Sequence, residues 1–228
     1  MRFTFVGDSM TIGRVGDVTW RYRMWRHLSA TLGAPFEIVG PRSALYDPEA
    51  DAAVSHAYGA PDFPAEARTH LAGWGEGWLH MAPLIADAVT AHRTDVLLVS
   101  LGLIDLGFYT DSHQTALNAR EFIATARTAN PRVKMVLLPV IPNIRAESDA
   151  PFAAECDRFN ELLAKAVADL DDPLSPILLA SRPEGYAVQR DTYDGTHPGP
   201  TGEHRLAAAF ADAMHQAWGI GGPYTARP

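Results

Sequence analysis

Asp95-Val96-Leu97-Leu98-Val99-Ser100-Leu101 is the stretch on which the fold turns. Its apolar residues run without alternation, the pattern of a strand covered by helices on both faces, as in a parallel sheet. On the N-terminal side, residues 2–6 and 36–39 supply two more short apolar runs, and residues 133–138 and 177–180 two more on the other side. Helix-period segments separate them at about 18–32, 82–92, 112–129, 152–170 and 200–218. Phe152, Cys156, Phe159, Leu163, Val167 and Leu170 fall on one helical face, and Leu206, Phe210, Met214 and Trp218 do the same at steps of four. Strand–helix alternation of this kind requires right-handed crossovers. The expectation is one α/β domain over residues 1–228, a three-layer α/β/α sandwich on a five-stranded parallel sheet, with residues 219–228 as an irregular tail.

Composition agrees with a single globular unit. Of 228 residues, 47% are hydrophobic and 20% charged, which excludes a disordered or fibrous chain. The 17 Arg against 2 Lys read as the codon bias of a GC-rich genome rather than as a binding surface. A net charge of −8 argues against nucleic acid or an anionic membrane as partner. Cys156 stands alone inside an apolar helical stripe, so it reads as a core residue, and no Cys/His spacing resembles a zinc site. No leader-like apolar stretch precedes Gly7, which makes a cytoplasmic location the expectation.

Residues 40–81 break the alternation, with Pro41, Pro48, Pro61, Pro64 and several glycines and no sustained period. A loop this long in a compact domain is usually functional or disordered. It leaves the end of the second strand, where open α/β sheets bind ligands, so it should wall one side of a crevice.

Two places carry chemistry. Ser9 follows the first strand in Val6-Gly7-Asp8-Ser9-Met10-Thr11, where a tight turn can present its hydroxyl. A hydroxyl needs a base to become a nucleophile. Asp194-Gly195-Thr196-His197-Pro198, just before the last helix, can set a carboxylate against an imidazole, fixing its tautomer and leaving the other nitrogen as base.

Gly7-Asp8-Ser9 together with Asp194-x-x-His197-Pro198 resembles the SGNH (GDSL-type) hydrolase superfamily over nearly the whole chain. Trp20-Arg21-Tyr22-Arg23-Met24-Trp25, Ile38-Val39-Gly40-Pro41 and His70-x-x-Gly73-Trp74 are similar to the branch of the family-3 carbohydrate esterases. The resemblance implies a flavodoxin-like sandwich, Ser9 as nucleophile, His197 as base, Asp194 as its orienting partner, and oxyanion donors from the backbone of Ser9 and Gly40. The family's third donor is an Asn in a G-x-N-D segment, where this chain reads Gly102-Leu103-Ile104-Asp105. Ile104 cannot donate a hydrogen bond. Three accounts stay open: two backbone donors suffice, another side chain reaches in (Asn143 first), or hydrolysis has been lost.

Around the site, Asp8 is expected to pin the nucleophile's turn and Asp105 its own loop, while Gly102 belongs to the altered donor segment. His70 and Trp74 are expected to border the crevice. Leu101, Leu103, Ile104, Leu106 and Phe108 are either an acyl-facing wall or the strand's buried end. His27, His92 and His215 read as solvated or cap-associated helix residues. Gly73-Trp74-Gly75-Glu76-Gly77 is no phosphate loop, and neither G-x-G-x-x-G, G-x-S-x-G nor H-E-x-x-H is present at a telling position. No cofactor or metal and no obligatory protein partner is implied. The expected activity is hydrolysis of an O-acyl ester of a sugar or small natural product through an acyl-enzyme. The alternatives are an acyltransferase on the same residues or a catalytically impaired binding protein.

Overall fold

The computed structural model describes residues 1–225. The described strands are β1 (Arg2–Gly7), β2 (Glu37–Ile38), β3 (Leu45–Asp47), β4 (Ala52–Ser55), β5 (Leu71–Ala72), β6 (Val96–Ser100), β7 (Lys134–Leu138) and β8 (Ile177–Leu179). The helices are α1 (Ser9–Ile12), α2 (Trp20–Thr31), α3 (Trp78–Met81), α4 (Ile85–His92), α5 (Ser112–Ala129), α6 (Ala150–Leu170), α7 (Val188–Asp191) and α8 (Pro200–Trp218).

The main sheet runs β2-β1-β6-β7-β8, all parallel. These are the five strands that the apolar runs indicated. A sixth, β5, pairs in parallel with the carboxyl end of β1, Val6 opposite Leu71 and Gly7 opposite Ala72. It therefore shares the outer edge of β1 with β2, which pairs only at Arg2 and Phe3. β3 and β4 form a separate antiparallel hairpin.

Helices α2 and α8 pack together on one face, and α4, α5 and α6 pack in sequence on the other. The periodic stripes face inward as expected: Leu206, Phe210 and Met214 of α8 and Phe152, Cys156, Phe159 and Leu163 of α6 are buried. Each large apolar side chain so placed contributes roughly 1.5–3 kcal/mol. Trp20 of α2 stacks on Phe210 (4.8 Å, 18°) and meets Phe5 of β1 edge-on, joining two helices and the sheet. Burial pushes the Cys156 thiol up to about 12, which suits a core residue and not a reactive one.

The fully buried Arg21 organises the excursion of residues 40–81. It donates to the carbonyls of Thr11 (2.8 Å), Ile12 (3.0 Å) and Arg68 (2.8 Å) and to the Tyr58 hydroxyl (3.0 Å). A guanidinium thus stitches the end of α1 to the middle of the excursion.

The tail is irregular through Thr225 but not loose: Ile220 and Tyr224 are buried, and Tyr224 contacts His27 and hydrogen-bonds His204 Nδ1 (2.7 Å). His27 is consequently buried rather than solvated. The rest of the expected tail, residues 226–228, lies outside the described residues. Among the described residues, no helix is long and apolar enough to cross a membrane.

Candidate active site

From β1 the chain turns outward to β2 and β5, then returns as β6 on the other side of β1. Such a switch of direction opens a crevice beyond the carboxyl ends of the strands. The segments following β1, β5, β6 and β7 meet there with the loop before α8. They enclose a crevice of about 420 Å³ whose lining includes Ser9, Trp74, Ile104, Asn143 and His197.

Ser9 opens α1 directly after β1. Gly7 is required at this junction, because a Cβ there would stand 2.0 Å from Thr11 Oγ1 and 2.8 Å from the Ser100 carbonyl. Asp8 caps α1, accepting the Met10 N–H at 2.9 Å. Burial raises the Asp8 carboxyl to about 7, against the Met10 hydrogen bond, and the nearby Asp105 adds to the rise. Ser9 is itself only 4% exposed. Its N–H belongs to a helical first turn, where donors have no partner within the helix.

His197 reaches this serine from the far end of the chain. Ser9 Oγ lies 2.9 Å from His197 Nε2, and His197 Nδ1 lies 2.7 Å from Asp194 Oδ2. An ionised carboxylate only accepts, so Nδ1 carries the ring proton and Nε2 is left to accept from Ser9. The other oxygen of Asp194 accepts the N–H groups of His197 (2.8 Å) and Thr196 (3.0 Å). Burial works against this carboxylate, but those hydrogen bonds and the imidazole together hold it below its usual range. The fully buried Asp191 carboxylate fixes the loop's base. It accepts from Ala187 N–H (2.8 Å) and pairs with Arg190 and Arg205, while its backbone carbonyl accepts from Gly199 N–H.

Aromatic rings hold the imidazole from the sides. Trp74 stacks on it at 4.6 Å and 17°, and Tyr193 lies nearly parallel to it at 5.7 Å and 18°. Tyr46 of the hairpin stacks behind Trp74 (4.2 Å, 12°), and the Arg14 guanidinium sits 4.1 Å over Tyr193. Tyr193, Tyr46 and Arg14 were not legible as site residues. The one sequence signal was an aromatic residue immediately before Asp194.

The model of the GDSL-like Lipase/Acylhydrolase family matches residues 5–205, from β1 into α8. The chain belongs to this family. Among solved structures, an acetyl esterase mutant crystallised with an acetate ion is 23% identical at a TM-score of 0.76, over 95% of this chain and 97% of that one. A family-3 carbohydrate esterase from Talaromyces cellulolyticus has the same values of 23%, 0.76, 95% and 97%. A family-3 carbohydrate esterase from Clostridium thermocellum is 18% identical, TM-score 0.73, over 95% of this chain and 96% of that one. At these identities the likeness carries the fold. No curated protein sequence matches the chain.

Within this GDSL-like hydrolase, several expected site residues stand elsewhere. Gly40 does not line the crevice: it is buried against the His70 backbone, where a Cβ would come within 2.7 Å, and it permits the close pairing of Arg42 with His70. His70 is fully buried and structural. Its Nδ1 accepts the Ala72 N–H (3.1 Å), so its Nε2–H donates to the Ala44 carbonyl (3.2 Å). Asp105 ties the loop after β6 to the start of α3, accepting the N–H groups of Trp78 (2.9 Å) and Leu79 (3.2 Å) besides its own. Gly102 is buried beneath the crevice against Val140 and Phe159. Asp8 caps α1 and lines a small, mainly apolar recess with Met10, Leu101 and Leu103 rather than the crevice itself.

Trp74 and Ile104 do line the crevice, as does Asn143. Asn143 donates from Nδ2 to Thr196 Oγ1 (3.1 Å) and accepts the Arg145 N–H (3.2 Å). Its segment is anchored by Asn160 of α6, which bonds both the N–H (2.7 Å) and the carbonyl (2.9 Å) of Val140. The apolar run after β6 divides: Leu103, Ile104 and Phe108 face the crevice, whereas Leu101 and Leu106 pack into the core. Among the described residues, no cluster of three His, Cys, Asp or Glu side chains could hold a metal ion.

Proposed function

We propose that this protein is a serine esterase working through an acyl-enzyme, on O-acyl esters of hydroxylated small molecules. The observation that carries the reading is the chain of hydrogen bonds from Ser9 Oγ through His197 to Asp194, at 2.9 and 2.7 Å. As His197 Nε2 takes the hydroxyl proton, Ser9 Oγ attacks the ester carbonyl and the C=O pair moves onto oxygen. Asp194 stabilises the imidazolium so formed. Collapse of the tetrahedral intermediate breaks the ester C–O bond, and His197 returns the proton to the leaving alcohol. Water repeats the sequence on the acyl-Ser9, releasing a carboxylic acid and restoring the hydroxyl.

The developing oxyanion needs donors. The Ser9 N–H, in the first turn of α1, is one. Asn143 Nδ2 has two hydrogens and spends one on Thr196, so the second is free for the site to use in place of the amide that Ile104 lacks. The resemblance to carbohydrate and acetyl esterases supports a sugar-like alcohol. The Ser9→Ala variant tests the reading on p-nitrophenyl esters. Turnover should fall by on the order of 10⁴–10⁶, and retained turnover contradicts it.

A further inference from the structure

Two cavities flank Trp74, and their linings differ in balance, one mainly apolar and the other evenly mixed. On one side lies the crevice with Ser9, walled by Leu103, Ile104, Phe108 and Phe152. On the other lies a groove of about 550 Å³ in which Arg42, Ser43, Asp51, His56 and Glu76 are interspersed with small apolar residues. Trp74 lines both and is stacked on His197.

Phe108 is the most exposed large apolar residue near the nucleophile, at 78%. It sits on a single π-helical turn, Asp105–Tyr109, whose Tyr109 hydroxyl donates to the Gly75 carbonyl across the crevice mouth (3.2 Å). Such π-helical turns are frequent at functional sites.

We propose that the crevice beside Ile104 and Phe108 receives an acyl chain longer than acetyl, and that the alcohol departs over Trp74 into the groove. This rests on the esterase reading above and specifies its substrate. The direction follows from the chemistry: His197 protonates the leaving oxygen, so the alcohol lies on the side of the imidazole, against Trp74, whose ring also lines the groove. The acyl carbon chain then faces the opposite, apolar wall. In the groove Arg42 is neutralised by Glu76 at 2.6 Å, which suits a neutral hydroxylated alcohol better than an anionic one.

The test compares kcat/KM on p-nitrophenyl acetate, butyrate and hexanoate, for the parent and for Phe108→Ala. Full burial of a methylene gives about fourfold, so butyrate should exceed acetate by on the order of tenfold, and Phe108→Ala should cut that ratio severalfold. Acetate hydrolysed as fast as butyrate, or a ratio indifferent to Phe108, overturns the proposal while leaving the esterase reading intact. A second series of acetate esters with lengthening alkyl alcohols should stay flat; a rise there instead reverses the assignment of the two cavities. Absence of Ser9-dependent turnover on every ester overturns the esterase reading itself.

Discussion

The indole of Trp74 lies face to face with the imidazole of His197, with ring centroids 4.6 Å apart and planes 17° from parallel. The contact fixes the plane in which Nε2 meets Ser9. It also places an aromatic face against the ring that the proposed mechanism makes cationic, an interaction contributing roughly 0.5–2 kcal/mol. Trp74→Leu keeps the volume apolar but removes that face. It should lower kcat by about 3- to 30-fold with the thermal midpoint little changed. Steady-state kinetics beside thermal unfolding check this, and an unaltered kcat contradicts it.

The Asn143 amide lines the crevice with Ser9 and is proposed to replace the oxyanion donor that Ile104 lacks. Asn143→Ala should reduce kcat by on the order of 10²–10³ with KM little affected, the pattern of a contact made in the transition state. Unchanged kcat assigns the oxyanion to backbone N–H groups alone.

Arg21 is buried and bonded to three carbonyls and a hydroxyl. Arg21→Met would strand those acceptors without water, and each bond to a charged donor contributes roughly 1.5–3 kcal/mol. The loss should be at least about 3 kcal/mol, or roughly 6–12 °C in thermal midpoint for a domain of this size. A drop of one or two degrees contradicts the stitching role.

Stability against pH carries two opposed contributions. Burial holds His70, His27 and His204 below the usual histidine range; the nearby Arg21 deepens the effect at His70 and Arg23 at His204. Their stabilisation is present above about pH 6.5 and is lost on acidification, because the unfolded chain takes up protons the fold refuses. Asp8 acts the other way: with its carboxyl raised to about 7, it favours the fold at low pH and loses that contribution as pH rises through 7. Asp8→Asn keeps an acceptor for Met10 and removes the titration. The variant should therefore be the more stable protein at about pH 8, with the difference in midpoint shrinking toward about pH 5. A difference that does not vary with pH contradicts this assignment.

The parts of the fold that declared themselves in the sequence are those set by local pattern. Residues 96–99 are a continuous apolar run, and α8 repeats its large buried residues every fourth position. Ser9, Asp194 and His197 could be singled out for a similar reason, since each sits in a short segment of local turn geometry, and the structure brings the three side chains within hydrogen-bond distance. What stayed hidden depends on distant partners. β5 is two residues long and exists because β1 leaves an open edge above β2. Gly40 looked like an oxyanion donor, but its need for no side chain comes from the His70 backbone pressed against it. Asp105 bonds residues 26 and 27 positions away, and Tyr46 reaches the site through Trp74, nearly thirty positions along the chain. No periodicity encodes such contacts.

The central claim is that Ser9 is an activated nucleophile, and covalent labelling tests it most directly. The protein is incubated with a fluorophosphonate, digested and mapped by mass spectrometry, beside an Asp194→Asn variant. A single phosphonyl adduct on Ser9, formed orders of magnitude more slowly when Asp194 is replaced, is the predicted result. An unmodified Ser9, or an adduct formed equally fast in the variant, would contradict the account.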